Sequence, residues 1–189
     1  MKLEATAIED LFVLHRAVHQ DKRGQFTRLF AAEDLASAGR PTEAVHVNTS
    51  SSIEAGTLRG IHFQFPPYAE AKVVACTAGA IWDVGVDLRP DSPTRFQWFG
   101  KKLTPENGLS MVIPEGFGHA FITLEPNSTA VYVVSAVYAI EYESGVRYDD
   151  PALAIDWPVL PNVVSEKDLS WGRISDRIAE LDSGFSVNN

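Results

Sequence analysis

The chain is poor in cysteine. Cys76 is the only cysteine among 189 residues, which excludes an intramolecular disulfide and any metal site built from several cysteines. It lies at the end of the apolar run Val73–Cys76, where a thiol is more often a small buried group than a nucleophile. We therefore predict a buried, structural thiol.

Long apolar runs are also missing. No segment approaches the roughly 20 apolar residues that span a bilayer, and Met1–Asp10 lacks the basic and then apolar arrangement of a signal peptide. Hydrophobic residues make up 45% of the chain, and the mean hydropathy is -0.06, both ordinary for a globular protein. We expect one domain over residues 1–189, a frayed tail after about residue 183, no membrane partner and a cytoplasmic location.

Positive charge is scarce. The 16 lysines and arginines are outnumbered by 25 aspartates and glutamates, so the net charge is -9, which argues against a nucleic-acid partner. Each basic residue alone could be a solvated surface charge. Five of them nevertheless fall in recognisable motifs, a pattern that suits a small anionic ligand: Arg23, Arg28, Arg59, Lys72 and Lys167.

Turn residues divide the chain into many short, β-rich segments. Short strands at this spacing predict an all-β sandwich or barrel, of which a jelly roll is one form. Short peripheral helices are predicted at Ala31–Ala38 and Ile174–Leu181. The predicted strands are Leu11–Val18, Phe26–Phe30, Ala44–Val47, Thr57–Gln64, Ala71–Thr77, Ala80–Leu88, Phe96–Leu103, Leu109–Ile113, His119–Leu124 and Thr129–Tyr138.

Alternation within these strands predicts which side chains share a face. Tyr132 and Tyr138 have the same parity and should face the same side, and His119 aligns with Phe121. A histidine, an aspartate and both tyrosines could thus point into one barrel mouth. In the strand after Ala80, one face should carry Trp82, Val84, Val86 and Leu88, and the other Asp83, Gly85 and Asp87.

The strand Thr57–Gln64 is the most informative segment, because it carries Arg59 and His62 in an otherwise apolar context. Polar groups are costly to bury unless they are paired, so this strand predicts the wall of a reaction pocket. Strict alternation would put Arg59 and His62 on opposite faces. A β-bulge at Gly60 would bring both to one pocket; otherwise one of them lies outside the site.

The polar residues suggest proton-transfer chemistry. His62 is a candidate general base, and Asp168 could orient its ring if the fold brings the two together. Tyr132 could donate a proton from the opposite side, and Lys72 could stabilise an oxyanion. A base, an opposed acid and a cation are the minimum needed to invert a carbon next to a carbonyl. A metal site is the alternative: His62, Gln64 and His119 could contribute ligands, although the His-x-His pair is absent.

The motifs resemble those of the dTDP-4-dehydrorhamnose 3,5-epimerase family over about residues 7–171. The resemblance implies a cupin-type jelly roll (a double-stranded β-helix) that needs no metal or other cofactor, forms a homodimer and binds a nucleotide-sugar substrate. Its motifs are Asp21–Phe26, Asn48–Ser50, Leu58–Gln64, Ala71–Lys72, Trp82–Arg89, Ser92–Thr94, Ile113–Phe121, Asp149–Pro151 and Ser165–Asp168.

The resemblance also implies roles for individual residues. His62 matches the general base, Asp168 its partner, Tyr132 the general acid and Lys72 the group beside the enolate oxygen. Arg59, His119 and Asn48 match substrate contacts, and Arg23 and Lys167 match residues near the diphosphate. Tyr138 matches a tyrosine that stacks on the nucleotide base, and Glu143 a further ligand contact.

Two positions depart from the family pattern where the nucleotide is recognised. Arg28 stands in place of an acidic residue, and His46 in place of a glutamine. Thymidine diphosphate is the first expectation, another nucleotide diphosphate remains open, and so does the choice between C3, C5 or both carbons. A metal-dependent cupin enzyme and a non-catalytic sugar-binding cupin are the alternative functions.

Overall fold

The computed structural model describes residues 2–36 and 43–186. Its three helices there are α1 (Ala32–Ala36), α2 (Glu166–Ser170) and α3 (Ile174–Phe185). Its strands there are β1 (Lys2–Ala5), β2 (Phe12–His15), β3 (Val18–Asp21), β4 (Gly24–Thr27), β5 (His46–Ser52), β6 (Thr57–Gln64), β7 (Lys72–Ala78), β8 (Ile81–Asp87), β9 (Trp98–Leu103), β10 (Leu109–Ile113), β11 (Phe117–Thr123), β12 (Ser128–Val134), β13 (Glu143–Gly145) and β14 (Val163–Val164).

The strands form two sheets and a separate hairpin. The first sheet has the order β1-β2-β10-β7-β12-β5. The second has the order β13-β6-β11-β8-β9, and β14 pairs in parallel with β6. Strands β3 and β4 form the hairpin. The predicted all-β jelly roll is confirmed, and none of the helices in the described ranges is long and apolar enough to span a membrane.

Three apolar clusters hold these layers together. The cluster between the sheets joins Val74, Met111 and Ile113 of the first sheet to Ile81 and Phe121 of the second. Cys76 is buried in this cluster, as predicted, and burial raises the pKa of its thiol to about 11.

The helices cover the outer faces of the two sheets. Leu35 of α1 packs with Leu14 and Val73 on the first sheet. Ile174 and Leu181 of α3 pack on the second sheet. The apolar face predicted for the strand after Ala80 is confirmed, since Trp82, Val84, Val86 and Leu88 all belong to this outer cluster.

Several predicted boundaries are wrong. Leu11–Val18 is not one strand: β2 ends at His15, where the buried Arg16 bonds back to the Gly108–Leu109 backbone. The strand predicted at Phe26–Phe30 is β4, earlier in the chain and paired with β3. The strand predicted at Ala44–Val47 is β5, which continues to Ser52 because β12 pairs with it throughout.

Other predictions placed the end of an element wrongly or missed the element. The strand predicted at Thr129–Tyr138 ends at Val134, so parity does not relate Tyr132 to Tyr138. The predicted end of the first helix lies outside the described residues. Helix α3 continues to Phe185, beyond the predicted start of the tail, and residues 187–189 are not described. Sequence patterns did not predict β1, β3, β13, β14 or α2.

Strand β6 contains the bulge on which the site depends. His62 pairs with His119 on β11, whereas Arg59 pairs with Phe121, so β6 carries one extra residue between these two pairs. Gly60 has a φ of 126°, and a Cβ there would collide with Ala120. Glycine is therefore required for two reasons, backbone conformation and close approach.

Replacing Gly60 with alanine should destabilise the protein strongly. We expect a loss of about 2–4 kcal/mol in the free energy of unfolding, because conformational strain adds to overpacking. Gly24→Ala is a matched control, since Gly24 has a φ of 123° but a Cβ at this position would have no atom within 4 Å. The control should lose only about 1–2 kcal/mol. Equal losses in urea unfolding would show that contact with β11 does not constrain residue 60.

Candidate active site

The candidate site is a cleft between the two sheets. One lobe has a volume of about 470 Å³ and the other about 290 Å³, and both lobes are lined by His62, Lys72 and Tyr132. His62 on β6 belongs to the second sheet, whereas Lys72 on β7 and Tyr132 on β12 belong to the first. Two opposed walls therefore supply the polar groups. The bulge at Gly60 lets Arg59 and His62 line the same lobe, as hypothesised.

His62 is paired with Asp168. The distance between His62 Nε2 and Asp168 Oδ1 is 2.6 Å, and the Gly60 N–H donates to Asp168 Oδ2 at 3.2 Å. Strand β14 brings Asp168 there by pairing with β6 at Thr57 and Leu58. Helix α2 follows directly, with Ser165 as its N-cap accepting from the Asp168 N–H.

The environment of Asp168 favours its carboxylate form. Burial alone would raise the pKa, but the hydrogen bond and charge of His62, together with the Gly60 N–H, bring the pKa of Asp168 below its ordinary value. The side chain of Asp168 is only 4% exposed, while that of His62 is 32% exposed. The aspartate is thus buried behind the histidine, and the histidine faces the cleft.

A second histidine–aspartate pair lies on the same wall. His119 Nε2 is 2.7 Å from Asp83 Oδ1, and both side chains are buried. His119 lines the larger lobe, as predicted, whereas Asp83 lies behind it and does not line either lobe. The pairing gives His119 a fixed orientation within the larger lobe.

The opposite wall carries Lys72 and Tyr132. Lys72 Nζ is 3.1 Å from Glu70 Oε1, and Glu70 lines the smaller lobe. Burial raises the pKa of Tyr132, the negative charge of Glu70 raises it further, and Arg59 opposes the shift. The phenol therefore keeps its proton at neutral pH and can act as a donor.

Glu143 links Lys167 and Tyr138, which are both predicted substrate contacts. Its carboxylate accepts from Lys167 Nζ at 2.6 Å and from the Tyr138 hydroxyl at 2.7 Å. Burial alone would raise the pKa of Glu143, but these two hydrogen bonds bring it below its ordinary value. Tyr138 is 58% exposed, so a face of its ring remains accessible to a planar ligand.

Gln64 has a structural role instead of a ligand role. Its amide nitrogen donates to the carbonyls of Tyr68 and Val137, and its amide oxygen accepts from the Ala139 N–H. These bonds hold the segment that carries Tyr138. Within residues 2–36 and 43–186, no three His, Cys, Asp or Glu side chains come together to hold a metal ion.

Most of the predicted site residues line the two lobes. The larger lobe contains Arg59, His62, Lys72, His119, Tyr132, Lys167 and Asp168. The smaller lobe contains His46, Asn48, His62, Lys72, Tyr132, Tyr138 and Glu143.

Arg23 and Arg28 do not line either lobe. Arg23 lies at the tip of the β3–β4 hairpin, paired with Asp21, and borders a separate hollow there. Arg28 follows the hairpin, with its guanidinium 3.6 Å from Glu33.

Sequence reasoning missed four polar residues of the cleft. Ser50, Thr57 and Ser165 line the larger lobe, and Glu70 lines the smaller one. Glu70 could have been found by spacing, because it lies two residues before Lys72, where an extended chain points both side chains the same way.

Comparisons with known proteins identify similar chains and structures. The family model described as dTDP-4-dehydrorhamnose 3,5-epimerase matches residues 5–176. A dTDP-4-dehydrorhamnose 3,5-epimerase of Sinorhizobium fredii is 38% identical over 171 residues, which are 90% of this chain and 88% of the relative. A dTDP-4-dehydrorhamnose 3-epimerase of Streptomyces niveus is 37% identical over 169 residues, 89% of this chain and 81% of the relative.

A similar solved structure contains a sugar nucleotide. It is dTDP-6-deoxy-D-glucose-3,5-epimerase from Legionella pneumophila in complex with dTDP-4-keto-L-rhamnose. The two chains are 36% identical, with a TM-score of 0.89 and coverage of 95% of this chain and 96% of the other.

The Asp168 carboxylate should make stability depend on pH. Its pKa is lower in the folded than in the unfolded protein, so its contribution is present above the unfolded pKa and is lost as the pH falls through the folded one. Asp168→Asn should therefore cost about 1–3 kcal/mol above about pH 5, and less below about pH 4. Urea unfolding at several pH values measures this.

The exposed Asp91 supplies the control. Asp91→Asn should change the free energy of unfolding by no more than about 0.5 kcal/mol at any of these pH values. If the cost of Asp168→Asn were the same at acidic as at neutral pH, the His62–Asp168 interaction would not depend on the carboxylate charge.

Proposed function

We infer that this chain, which belongs to the dTDP-4-dehydrorhamnose 3,5-epimerase family, is an isomerase that acts on a nucleotide-diphospho-4-keto-6-deoxyhexose. Conversion of dTDP-4-dehydro-6-deoxyglucose to dTDP-4-dehydrorhamnose is the proposed reaction. This conversion inverts both C3 and C5, and inversion of only one of the two carbons is the alternative; each inversion removes a proton from one face and returns a proton to the other. No redox change occurs, because the substrate and the product are epimers.

The carbonyl at C4 makes this chemistry possible. C3 and C5 both flank it, so removal of a proton from either carbon leaves negative charge on the C4 oxygen. An enzyme must supply a base, stabilise that charge and deliver a proton from the opposite side. The cleft has a candidate for each of these three tasks.

His62 is the proposed base. A carboxylate can only accept a hydrogen bond, so the proton between His62 and Asp168 belongs to His62 Nε2. This tautomer leaves the Nδ1 lone pair free to take a proton from the sugar. When Nδ1 becomes protonated, the buried Asp168 carboxylate stabilises the imidazolium.

Tyr132 and Lys72 are the proposed acid and oxyanion partner. The pKa of Tyr132 is raised, chiefly by burial, so the phenol remains protonated until the enolate forms. Lys72 supplies a positive charge for the C4 oxygen. The observation that carries the proposal is that His62 and Tyr132 project from different sheets into one cleft, which permits attack on one face of a sugar and protonation on the other.

The remaining cleft residues are proposed substrate contacts. The sugar would occupy the space where the lobes meet, beside His62, Lys72 and Tyr132. Contacts with the rest of the substrate would come from Asn48, Arg59, His119, His46, Tyr138, Glu143 and Lys167. The exposed ring of Tyr138 suits a nucleotide base, and Lys167 suits the diphosphate.

We also propose that the chain acts as a homodimer in the cytoplasm. Arg23 and Arg28 are expected to contact the nucleotide, yet neither lines the cleft of its own chain. The β3–β4 hairpin exposes Phe26, which is 67% accessible. A dimer in which this hairpin lies against the cleft of the other copy would cover Phe26 and bring both arginines to the substrate.

Removal of the base or the acid should abolish turnover and leave the fold intact. In deuterated water with dTDP-4-dehydro-6-deoxyglucose, the protein should incorporate deuterium at C3, C5 or both. His62→Ala and Tyr132→Phe should each reduce kcat by about 10²–10⁴-fold. NMR of the sugar measures the incorporation and identifies the carbon, while circular dichroism checks folding.

The two variants fail differently if the roles are correct. Tyr132→Phe retains the base, so it should still exchange the substrate proton for deuterium without inverting the carbon. His62→Ala should neither exchange the proton nor invert the carbon. Full activity in His62→Ala would remove it as the base. The absence of exchange with every 4-keto-6-deoxy sugar nucleotide tried would refute the epimerase proposal.

The dimer can be tested by mixing two defective variants. Arg23→Ala should lower kcat/KM about tenfold, the effect of one charge-assisted contact with phosphate. If Arg23 acts on the other copy, re-association of Arg23→Ala with His62→Ala should restore up to about a quarter of wild-type activity, because half the dimers are mixed and each contains one complete site. Simple addition of the two residual activities would show that Arg23 does not act across the dimer.

A further inference from the structure

Glu70 is a charged residue inside the cleft to which neither the motifs nor the family resemblance gives a role. Its carboxylate oxygen Oε1 lies 3.1 Å from Lys72 Nζ, and the two side chains are only 14% and 10% exposed. Glu70 lines the smaller lobe together with Lys72 and Tyr132. A carboxylate is costly to bury unless it is paired, so the burial of Glu70 needs a physical explanation.

We propose that Glu70 is a positioning residue of the proposed epimerase site, which holds the Lys72 ammonium where the two lobes meet and sets the charge around Tyr132. The inference rests on the proposed function, because Lys72 and Tyr132 have their roles from it. Glu70 itself needs no contact with the substrate.

The backbone around Glu70 is fixed, so its carboxylate can act as an anchor. The Ala71 N–H donates to Ser135 Oγ at 2.8 Å, and the Ser135 N–H donates to the Ala71 carbonyl at 3.1 Å. These two hydrogen bonds fix the backbone of Ala71, which separates Glu70 from Lys72. A lysine side chain has a flexible four-carbon stem, and an ion pair restricts where its ammonium can lie. Lys72 should therefore occupy one position before the substrate arrives.

The charge of Glu70 also acts on the proposed acid. Burial raises the pKa of Tyr132, and the negative charge of Glu70 raises it further, while Arg59 lowers it. The other ionisable groups of the larger lobe are His62, Lys72, His119, Lys167 and Asp168. Those of the smaller lobe include His46, Tyr138 and Glu143. Of these charged groups, Glu70 raises the pKa of Tyr132 and Arg59 lowers it.

These two effects predict separate consequences for two substitutions. Glu70→Gln keeps an acceptor oxygen for Lys72 Nζ but removes the charge, so Tyr132 should lose its proton at a lower pH. Glu70→Ala removes both the charge and the anchor, so Lys72 should also lose its position. A surface control, Glu125→Gln, removes one negative charge from an exposed residue away from the cleft.

The decisive measurement is the titration of Tyr132 by NMR, with carbon-13 at the tyrosine ring and Tyr132→Phe to assign the resonance. We expect the midpoint in Glu70→Gln to lie below that of the wild type, and the midpoint in Glu125→Gln to equal it. Equal midpoints in all three proteins would overturn the proposal. This readout requires no substrate, so it is informative even if the protein proves not to be an epimerase.

Deuterium exchange into the sugar nucleotide tests the catalytic consequence. In Glu70→Gln, the alkaline limb of the kcat profile should move to lower pH. In Glu70→Ala, kcat should fall about tenfold at neutral pH while KM stays within about threefold, since the substrate contacts remain. A normal kcat and an unmoved alkaline limb in both variants would refute the positioning role. Failure of exchange in the wild type would instead refute the proposed function.

Discussion

The site depends on one extra residue in strand β6. Without the bulge at Gly60, strict alternation would turn Arg59 away from the lobe that His62 faces. His62 lies opposite His119, but Arg59 lies opposite Phe121, so the alternation of side chains along β6 shifts by one residue between them. The same glycine donates its N–H to the Asp168 carboxylate that holds His62. A single backbone irregularity thus sets both the direction of His62 relative to Arg59 and the position of Asp168.

Part of this arrangement was predictable from local pattern. His62, Arg59 and Lys72 stand out because they interrupt apolar strands, and Gly60 marks the bulge. Asp168 is different: it lies more than 100 residues from His62, and the parallel pairing of β14 with β6 brings it there. A two-residue strand has no sequence period, so the residues alone named Asp168 only as a candidate, and the family resemblance was needed to pair it with His62. Alternation failed for Tyr138 for a related reason, since β12 ends at Val134 and Gln64 holds the segment beyond it.

Other errors arose where tertiary contacts override local pattern. Leu11–Val18 has the pattern of one apolar strand, but Arg16 is buried and bonds to the backbone at Leu109, which interrupts the strand. Glu70 was overlooked because a carboxylate before a strand usually faces solvent, although its position two residues before Lys72 places both side chains on one side of an extended chain. Arg23 and Arg28 are a different case, because one chain cannot reveal a contact that a second copy would make.

Charge pairing holds most of the cleft cations of this acidic chain in place. In the cleft, His62, His119, Lys72 and Lys167 each have a carboxylate partner: Asp168, Asp83, Glu70 and Glu143. These pairs fix the groups in place but offset much of their attraction for phosphate. Among the described residues, Arg59 has no carboxylate within ion-pair distance, and its guanidinium approaches only the Ser51 carbonyl, at 3.5 Å. Arg59 is therefore the cleft cation whose charge is least offset by a carboxylate, while the paired cations are held in place by theirs.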